Sequence, residues 1–336
     1  MLGPLEVLVD GRPVEPGGAR ARAVLAGLAL EADRVVPLAT LVRLVWGDRP
    51  PATARKQVQN LVSGLRRRLV AAGAGGDVIA THPAGYRLQV PAGAVDLARF
   101  EDCVAAARAA RQHGRWADAA AALDRGLALW RGDPLADLTC PGLDAAIARI
   151  ADLRPAALED WTTAELALGH HREILPALTA AVADHPYRER LRCHLMVALY
   201  RSGRQAEALA CYREARTLLV EELGIEPGAE LQQVERAILS NDSGLDPPAG
   251  PGPGPDALAP PAPRRRADVP PSTHPAAAHV DPDLRAAAIA LLSRILGLGT
   301  EHAAALLDGL VAAHHAPVRP VPADRTTPPD LVAVVA

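Results

Sequence analysis

Residues 53–68 have the sequence TARKQVQNLVSGLRRR, and this stretch decides how the rest of the chain is interpreted. Apolar residues recur in it at helical spacing, which predicts an amphipathic helix with one buried stripe. The members of that stripe are Val58, Leu61, Val62, Leu65 and Leu69. No acidic residue occurs between Asp48 and Asp77, so the opposite face presents amides, hydroxyls and positive charge. An ordinary helix with a solvated basic face would show the same pattern, and the neighbouring sequence has to separate the two interpretations.

A helix in the major groove of DNA reads base edges with amides and cations, while flanking cations neutralise phosphates. The residues that we predict to contact base edges are Lys56, Gln59, Asn60 and Ser63. Those that we predict to contact phosphates, because they lie toward the flanks, are Arg55, Arg66, Arg67 and Arg68.

The segments on either side of this helix predict a winged helix-turn-helix. Residues 2–16 predict short strands joined at Asp10-Gly11, a dipeptide that favours a tight hairpin turn. Helices are predicted over 20–30 and 37–46, the latter ending at Trp46 as a buried anchor, and the basic helix begins at Thr53 as its cap. Residues 78–90, VIATHPAGYRLQV, then predict a hairpin. In this order of elements the third helix enters the major groove and the hairpin is the wing.

The predicted wing carries a second set of candidate contacts. Thr81, His82 and Arg87 could reach the DNA backbone or the minor groove, whereas Tyr86 is predicted to pack beneath the wing.

Charge is segregated along the 336 residues, a length that favours two or three domains. Residues 1–95 hold 12 basic and 7 acidic residues, whereas residues 96–242 hold 17 basic and 23 acidic residues. A basic module joined to an acidic one indicates that only the first meets nucleic acid.

The second module shows a helical repeat. Gly203 follows Gly169 by 34 residues, the period of a tetratricopeptide unit, and small and apolar residues recur at matching positions in both copies. The two copies and a weaker third are Gly169, Ile174, Leu178, Ala181 and Pro186; Gly203, Ala208, Tyr212 and Ala215; and Gly114, Ala119, Leu123 and Gly126. Stacked repeats of this kind present a concave surface to partners. Pro155 is predicted to split or kink a helix that would otherwise run over 143–168.

Composition changes after residue 242. Residues 243–281 are rich in Pro, Gly and Ala and predict a disordered linker, with Arg264-Arg265-Arg266 as solvated charge. Two short amphipathic helices are predicted over 282–316, followed by a Pro-rich tail over 317–336.

Several classes of protein do not fit this sequence. The start of the chain lacks the pattern of a signal peptide, and no run of about 18 apolar residues predicts a membrane span. The four separated cysteines favour reduced, mostly buried thiols in a cytoplasmic, nucleoid-associated protein. Adjacent histidines on a helix point in different directions, so His170-His171 and His314-His315 do not predict a metal site. No nucleotide-binding glycine loop or catalytic set occurs, so we predict no enzyme and no cofactor.

Several segments together make the resemblance to a known family specific. LGPLEV, RVVPLATLVRLVWGDRPPATARKQVQNLVSGLRRRL and PAGYRLQV resemble the OmpR-type DNA-binding domain of the Streptomyces antibiotic regulatory protein family. VDLARFE, ALWRGDPLADL and LMVALYRSGRQAEALACYREARTLLVEELGIEPGAEL resemble that family's bacterial transcriptional activation domain.

The resemblance covers residues 1–242. It implies an α+β winged helix-turn-helix domain over 1–95 and an all-α, tetratricopeptide-like domain over 96–242. It also implies an activator of a secondary-metabolite gene cluster that binds direct repeats in promoter DNA, as a homo-oligomer, and recruits RNA polymerase holoenzyme.

Two other functions remain open from the residues alone. The chain could be a helical-repeat scaffold whose winged domain binds protein, since fold does not fix function. The repeat domain could also sense a small ligand. The acid-free basic helix and the positive charge of the first module argue against the scaffold.

Overall fold

The computed structural model describes residues 1–246 and the backbone of residues 332–333. The rest of the predicted linker, including Arg264–Arg266, lies outside the described residues, as do the helices predicted over 282–316 with His314–His315 and most of the tail over 317–336.

The first part of the chain is a winged helix-turn-helix, as predicted. Its elements are β1 (Leu8–Val9), β2 (Arg12–Pro13), α1 (Ala19–Leu30), β3 (Val35–Pro37), α2 (Leu38–Trp46), α3 (Ala54–Ala71), β4 (Ile79–His82) and β5 (Gly85–Leu88). They form two small antiparallel sheets, and the second has the strand order β3-β5-β4. In the first sheet β1 lies between β2 and β6 (Val332–Ala333), so the apolar end of the chain supplies an edge strand.

Local sequence explains the turns of this part. Asp10 and Gly11 both have positive φ, at 49° and 74°, which is the backbone that a two-residue hairpin needs. Thr53 occupies the N-cap position of α3 as predicted, but its hydroxyl does not bond a helix amide. It accepts instead from the side chain of Gln57 at 2.9 Å. Trp46, predicted to be buried, is only half-buried, and the Arg20 guanidinium lies 5.5 Å from its ring centroid.

The second part is a stack of helices with the predicted repeat. Its elements are α4 (Asp96–Gln112), α5 (Trp116–Leu127), α6 (Asp144–Ala151), α7 (Leu153–Leu168), α8 (Leu175–Asp184), α9 (Glu189–Arg201), α10 (Gln205–Leu218), a π-helical turn (Leu219–Leu223) and α11 (Ala229–Ser240). Gly114, Gly169 and Gly203 all have positive φ in the turns between helices, which explains why the repeat places glycine there. Pro155 lies in the first turn of α7, where a missing amide costs little, and the predicted long helix is split at residue 152.

None of the described helices combines the length and apolar character needed to cross a membrane.

Two hydrophobic clusters fill the described residues. The first runs from Met1 through the winged part into α7, and the second lies among α7–α11. Trp161 on α7 packs against both clusters, and its buried indole N–H has no hydrogen-bond partner among the described residues. Cys140, Cys193 and Cys211 are buried free thiols, and Cys103 is partly buried.

The winged part and the helical part are joined by polar contacts as well as by the first cluster. Asp96, which is 2% exposed, accepts from the backbone N–H of Leu2 and from the amino group of Met1, each at 3.0 Å. Asp137 accepts from the N–H of Leu5 at 2.7 Å and pairs with Arg22. These contacts hold the N-terminal segment against the helical part.

A second joint lies at the end of α2. The Cys140 thiol donates to the Leu44 carbonyl oxygen at 2.8 Å. Two residues later, a Cβ built on Gly142 would lie 2.3 Å from both the Cα and the carbonyl oxygen of Leu44. Only glycine therefore allows this loop to lie against α2.

We expect Gly142→Ala to lower the free energy of unfolding by about 1–3 kcal/mol, because backbone atoms must move to admit the methyl group. Gly76→Ala is the control, since a Cβ there meets nothing within 4 Å. Urea unfolding of both variants tests the assignment. Equal stability of Gly142→Ala and the parent chain would contradict this account of the joint.

His194 makes the stability of the helical part depend on pH. Its Nδ1 lies 2.6 Å from the hydroxyl oxygen of Thr162, which is itself buried. Burial, with the neighbouring charge of Arg190, lowers the pKa of His194 to about 4, and Asp160 opposes this more weakly. The unfolded chain takes up this proton near pH 6.5, so acid favours unfolding.

We expect the contribution of His194 to stability to be complete above about pH 6.5 and to be lost as the pH falls toward about 4, by on the order of 2 kcal/mol. His194→Gln should remove this part of the pH dependence, whereas His113→Gln, at an exposed histidine, should leave it. Urea titrations at about pH 7.5 and about pH 5 measure the difference. If the free energy of unfolding of His194→Gln still fell by the same amount between these two pH values, another group would be responsible for the pH dependence.

Candidate nucleic-acid interface

The helix α3 presents one polar face to solvent. Seven of the eight residues that we predicted for DNA contact on this helix are exposed, and the exception is Arg66. The exposed ones are Arg55, Lys56, Gln59, Asn60, Ser63, Arg67 and Arg68. The Ser63 hydroxyl donates to the carbonyl oxygen of Gln59 at 2.9 Å, which fixes its orientation along the helix. Which of these residues contact DNA stays a prediction.

The opposite face of α3 anchors the helix. Val58, Val62, Leu65 and Leu69 are buried, and Leu61 at the edge of the stripe is half-buried. This stripe packs against α1 and α2, which also touch each other closely at Gly27. The exposed polar face therefore has a fixed direction.

Arg66 connects α3 to the hairpin β4–β5. Its Nε donates to the carbonyl oxygen of Ile79 at 2.7 Å, and its Nη2 donates to the hydroxyl of Thr81 at 2.7 Å. Its guanidinium also lies 5.7 Å from the ring centroid of Tyr86, which is buried beneath the hairpin as predicted. Two predicted DNA contacts, Arg66 and Thr81, thus bind each other. Sequence reasoning did not anticipate this bond, because the partners lie 15 residues apart with no motif to link them.

The hairpin is also held from its other side. Gly85 begins β5, and a Cβ there would lie 2.0 Å from the carbonyl oxygen of Val36 in β3. This position therefore requires glycine. His82 is exposed at the tip and its Nδ1 accepts from the N–H of Ala84 at 3.2 Å, while Arg87 is half-buried on β5.

The charge of this surface is uncompensated within the described part of the chain. None of the cations of α3 forms an ion pair there, although many arginines of the helical part do. No acidic residue lies between Asp48 and Asp77, so α3 itself supplies no counter-charge. Over residues 1–246, no three His, Cys, Asp or Glu side chains come together as a metal site. The surface can attract a polyanion.

Comparison with known families divides the chain into the same two parts. Residues 14–88 match the family described as "Transcriptional regulatory protein, C terminal". Residues 95–239 match the family described as "Bacterial transcriptional activator domain".

Individual relatives agree with this. The regulatory protein DnrI of Streptomyces peucetius is 38% identical over 253 residues, which is 73% of this chain and 93% of DnrI. The regulatory protein AfsR of Streptomyces coelicolor is 39% identical over 246 residues, and the match spans 73% of this chain but only 24% of AfsR. Among solved structures, Mycobacterium tuberculosis EmbR in complex with a low-affinity phosphopeptide is similar with a TM-score of 0.69 and 36% identity. That match covers 72% of this chain and 64% of that one.

We expect Arg66→Met to loosen the hairpin, because it removes two hydrogen bonds from a charged donor, each worth about 1.5 kcal/mol or more. Backbone amides of β4 and β5 should then exchange hydrogen at least about tenfold faster. Arg67→Met is the control, since the neighbouring Arg67 is exposed. Hydrogen exchange by mass spectrometry distinguishes the two, and equal exchange in both variants would remove Arg66 from this positioning role.

Proposed function

The chain belongs to the Streptomyces antibiotic regulatory protein family of transcriptional activators, and we propose that it binds promoter DNA sequence-specifically through α3 and the hairpin β4–β5. The observation that carries the proposal is the exposed, acid-free face of α3, whose direction is fixed by a buried stripe behind it. In the proposed complex α3 lies in the major groove and the hairpin follows the adjacent backbone.

The proposed division of labour follows the chemistry of the side chains. The amides of Gln59 and Asn60 suit adenine, and Lys56 suits guanine, while Ser63 can pair with either. Arg55, Arg67 and Arg68 supply phosphate contacts from the flanks. Arg66 acts chiefly by holding the wing, and His82 and Arg87 are the wing residues left to meet the backbone or the minor groove.

The helical part has a different proposed role. We infer a DNA-binding domain over 1–95 and an activation domain over 96–242, whose excess of acidic residues disfavours contact with DNA. The second domain engages RNA polymerase holoenzyme or another protomer, and protomers occupy direct repeats side by side. The regulated genes are those of a secondary-metabolite cluster, and the protein acts at the nucleoid in the cytoplasm.

Phosphate contacts predict a characteristic salt dependence. We expect Arg55→Met and Arg67→Met each to weaken binding to all DNA sequences and to reduce the slope of log affinity against log salt concentration by about one. Arg125→Met, at an exposed arginine of α5, is the control and should change neither. Fluorescence anisotropy with duplexes from the promoters neighbouring the gene measures both quantities. Unchanged affinity and slope in both α3 variants would refute the groove assignment.

Base reading predicts a different result at the centre of the helix. We expect Asn60→Ala to cost about 1–3 kcal/mol on the preferred site and to change binding to unrelated DNA far less. The ratio of the two affinities therefore falls in this variant, whereas it stays constant in Arg67→Met. A uniform loss on both DNAs would make Asn60 a backbone contact instead.

A further inference from the structure

A groove of about 630 Å³ opens between α8, α9 and α10, far along the chain from the DNA-binding elements. Its floor is apolar, with Val182, Leu195 and Leu199 among the lining side chains. Arg192 of α9 also lines the groove, and it is a buried charged residue, 7% exposed. A buried guanidinium at the base of an apolar groove calls for an explanation, because burying a charge is costly unless it is paired.

The hydrogen bonds of Arg192 leave that charge uncompensated. Its Nε donates to the carbonyl oxygen of Pro186 at 3.0 Å, and within residues 1–246 no carboxylate lies at ion-pair distance from it. The group beside it is the thiol of Cys211; burial raises the pKa of Cys211, and the guanidinium opposes that rise. The thiol therefore stays protonated and neutral near neutral pH. Within residues 1–246 the Arg192 guanidinium therefore has no direct ion-pair partner.

The rim of the groove limits which anion can enter. Arg204 forms two hydrogen bonds with Glu207, at 2.7 and 2.6 Å, so these two charges satisfy each other. Glu214 also lines the groove and adds a negative charge at its edge. Glu214 disfavours a polyanion, whereas a single carboxylate surrounded by apolar groups matches the Arg192 guanidinium and the apolar floor.

The shape of the groove favours a chain over a compact molecule. Sites for small ligands enclose most of the ligand surface, but this groove is open to solvent and is bounded by three successive helices of a repeat. We propose that it binds a peptide segment of a partner protein, which places one Asp or Glu carboxylate on Arg192 and apolar side chains against Leu195 and Leu199. This inference does not depend on DNA binding.

The test uses the full chain and two pools of blocked peptides about ten residues long. The pools share randomised small and apolar residues and differ at one central position, which is Glu in one pool and Gln in the other. Affinity selection on the immobilised protein with mass-spectrometric readout should retain the Glu pool at least about tenfold better, since bonds between guanidinium and carboxylate are charge-assisted. Arg192→Met should remove this preference, and Arg190→Met, at an exposed neighbour on the same helix, should keep it.

A second pair of variants keeps the test decisive if Arg192→Met fails to fold. Ala210→Trp fills the groove from α10 and should abolish retention, whereas Ala206→Trp, one turn earlier and exposed, should not. Equal retention of the two pools, or retention unaffected by Ala210→Trp, would overturn the proposal. Displacement of the peptides by millimolar acetate would also overturn it, because the groove would then be a site for small anions.

Discussion

The buried carboxylate of Asp96 is the interaction on which the arrangement of the two parts depends. It begins α4 and accepts from its own helix at the N–H of Leu97, at 2.7 Å, and from the N-terminal segment at the N–H of Leu2. Arg131 lies 3.6 Å away and donates its backbone N–H to the carbonyl oxygen of Leu2. A buried carboxylate is stable only with several donors. Separation of the N-terminal segment from α4 would therefore leave the Asp96 carboxylate without the donors of Met1 and Leu2.

This constraint also fixes the position of the basic helix α3 within the molecule. With the N-terminal segment held at Asp96 and the end of α2 held at Gly142, the winged part shares one continuous core with α4–α7. The exposed polar face of α3 is thus presented by the whole unit and not by a loosely tethered domain. Arg66 extends the same principle outward, because it fixes the hairpin relative to α3.

Features that repeat or that lie close together in the sequence were predictable. The stripe of α3, the Asp10-Gly11 turn and the glycine of each repeat followed from helical periodicity and backbone conformation. Contacts between distant segments were not predictable, because neither the bond of Arg66 to Thr81 nor the contacts of Asp96 produce a periodic pattern in the sequence. The half-buried state of Trp46 was missed for the same reason, because the arginine that covers it comes from another helix.

The indole of Trp161 has a consequence for how the molecule comes apart. It contacts both hydrophobic clusters from the middle of α7, so the two cores share one side chain at their boundary. In a linear array each repeat is stabilised mainly by its neighbours, and the array frays from a free end. Polar bonds join the same helices beside this indole, since His194 of α9 lies 2.6 Å from the Thr162 hydroxyl and Arg201 donates to the carbonyl oxygen of Leu166 at 2.6 Å. Opening of α8–α11 would therefore have to break these polar bonds as well as the apolar contacts of Trp161, which couples the stability of the outer helices to that of α7.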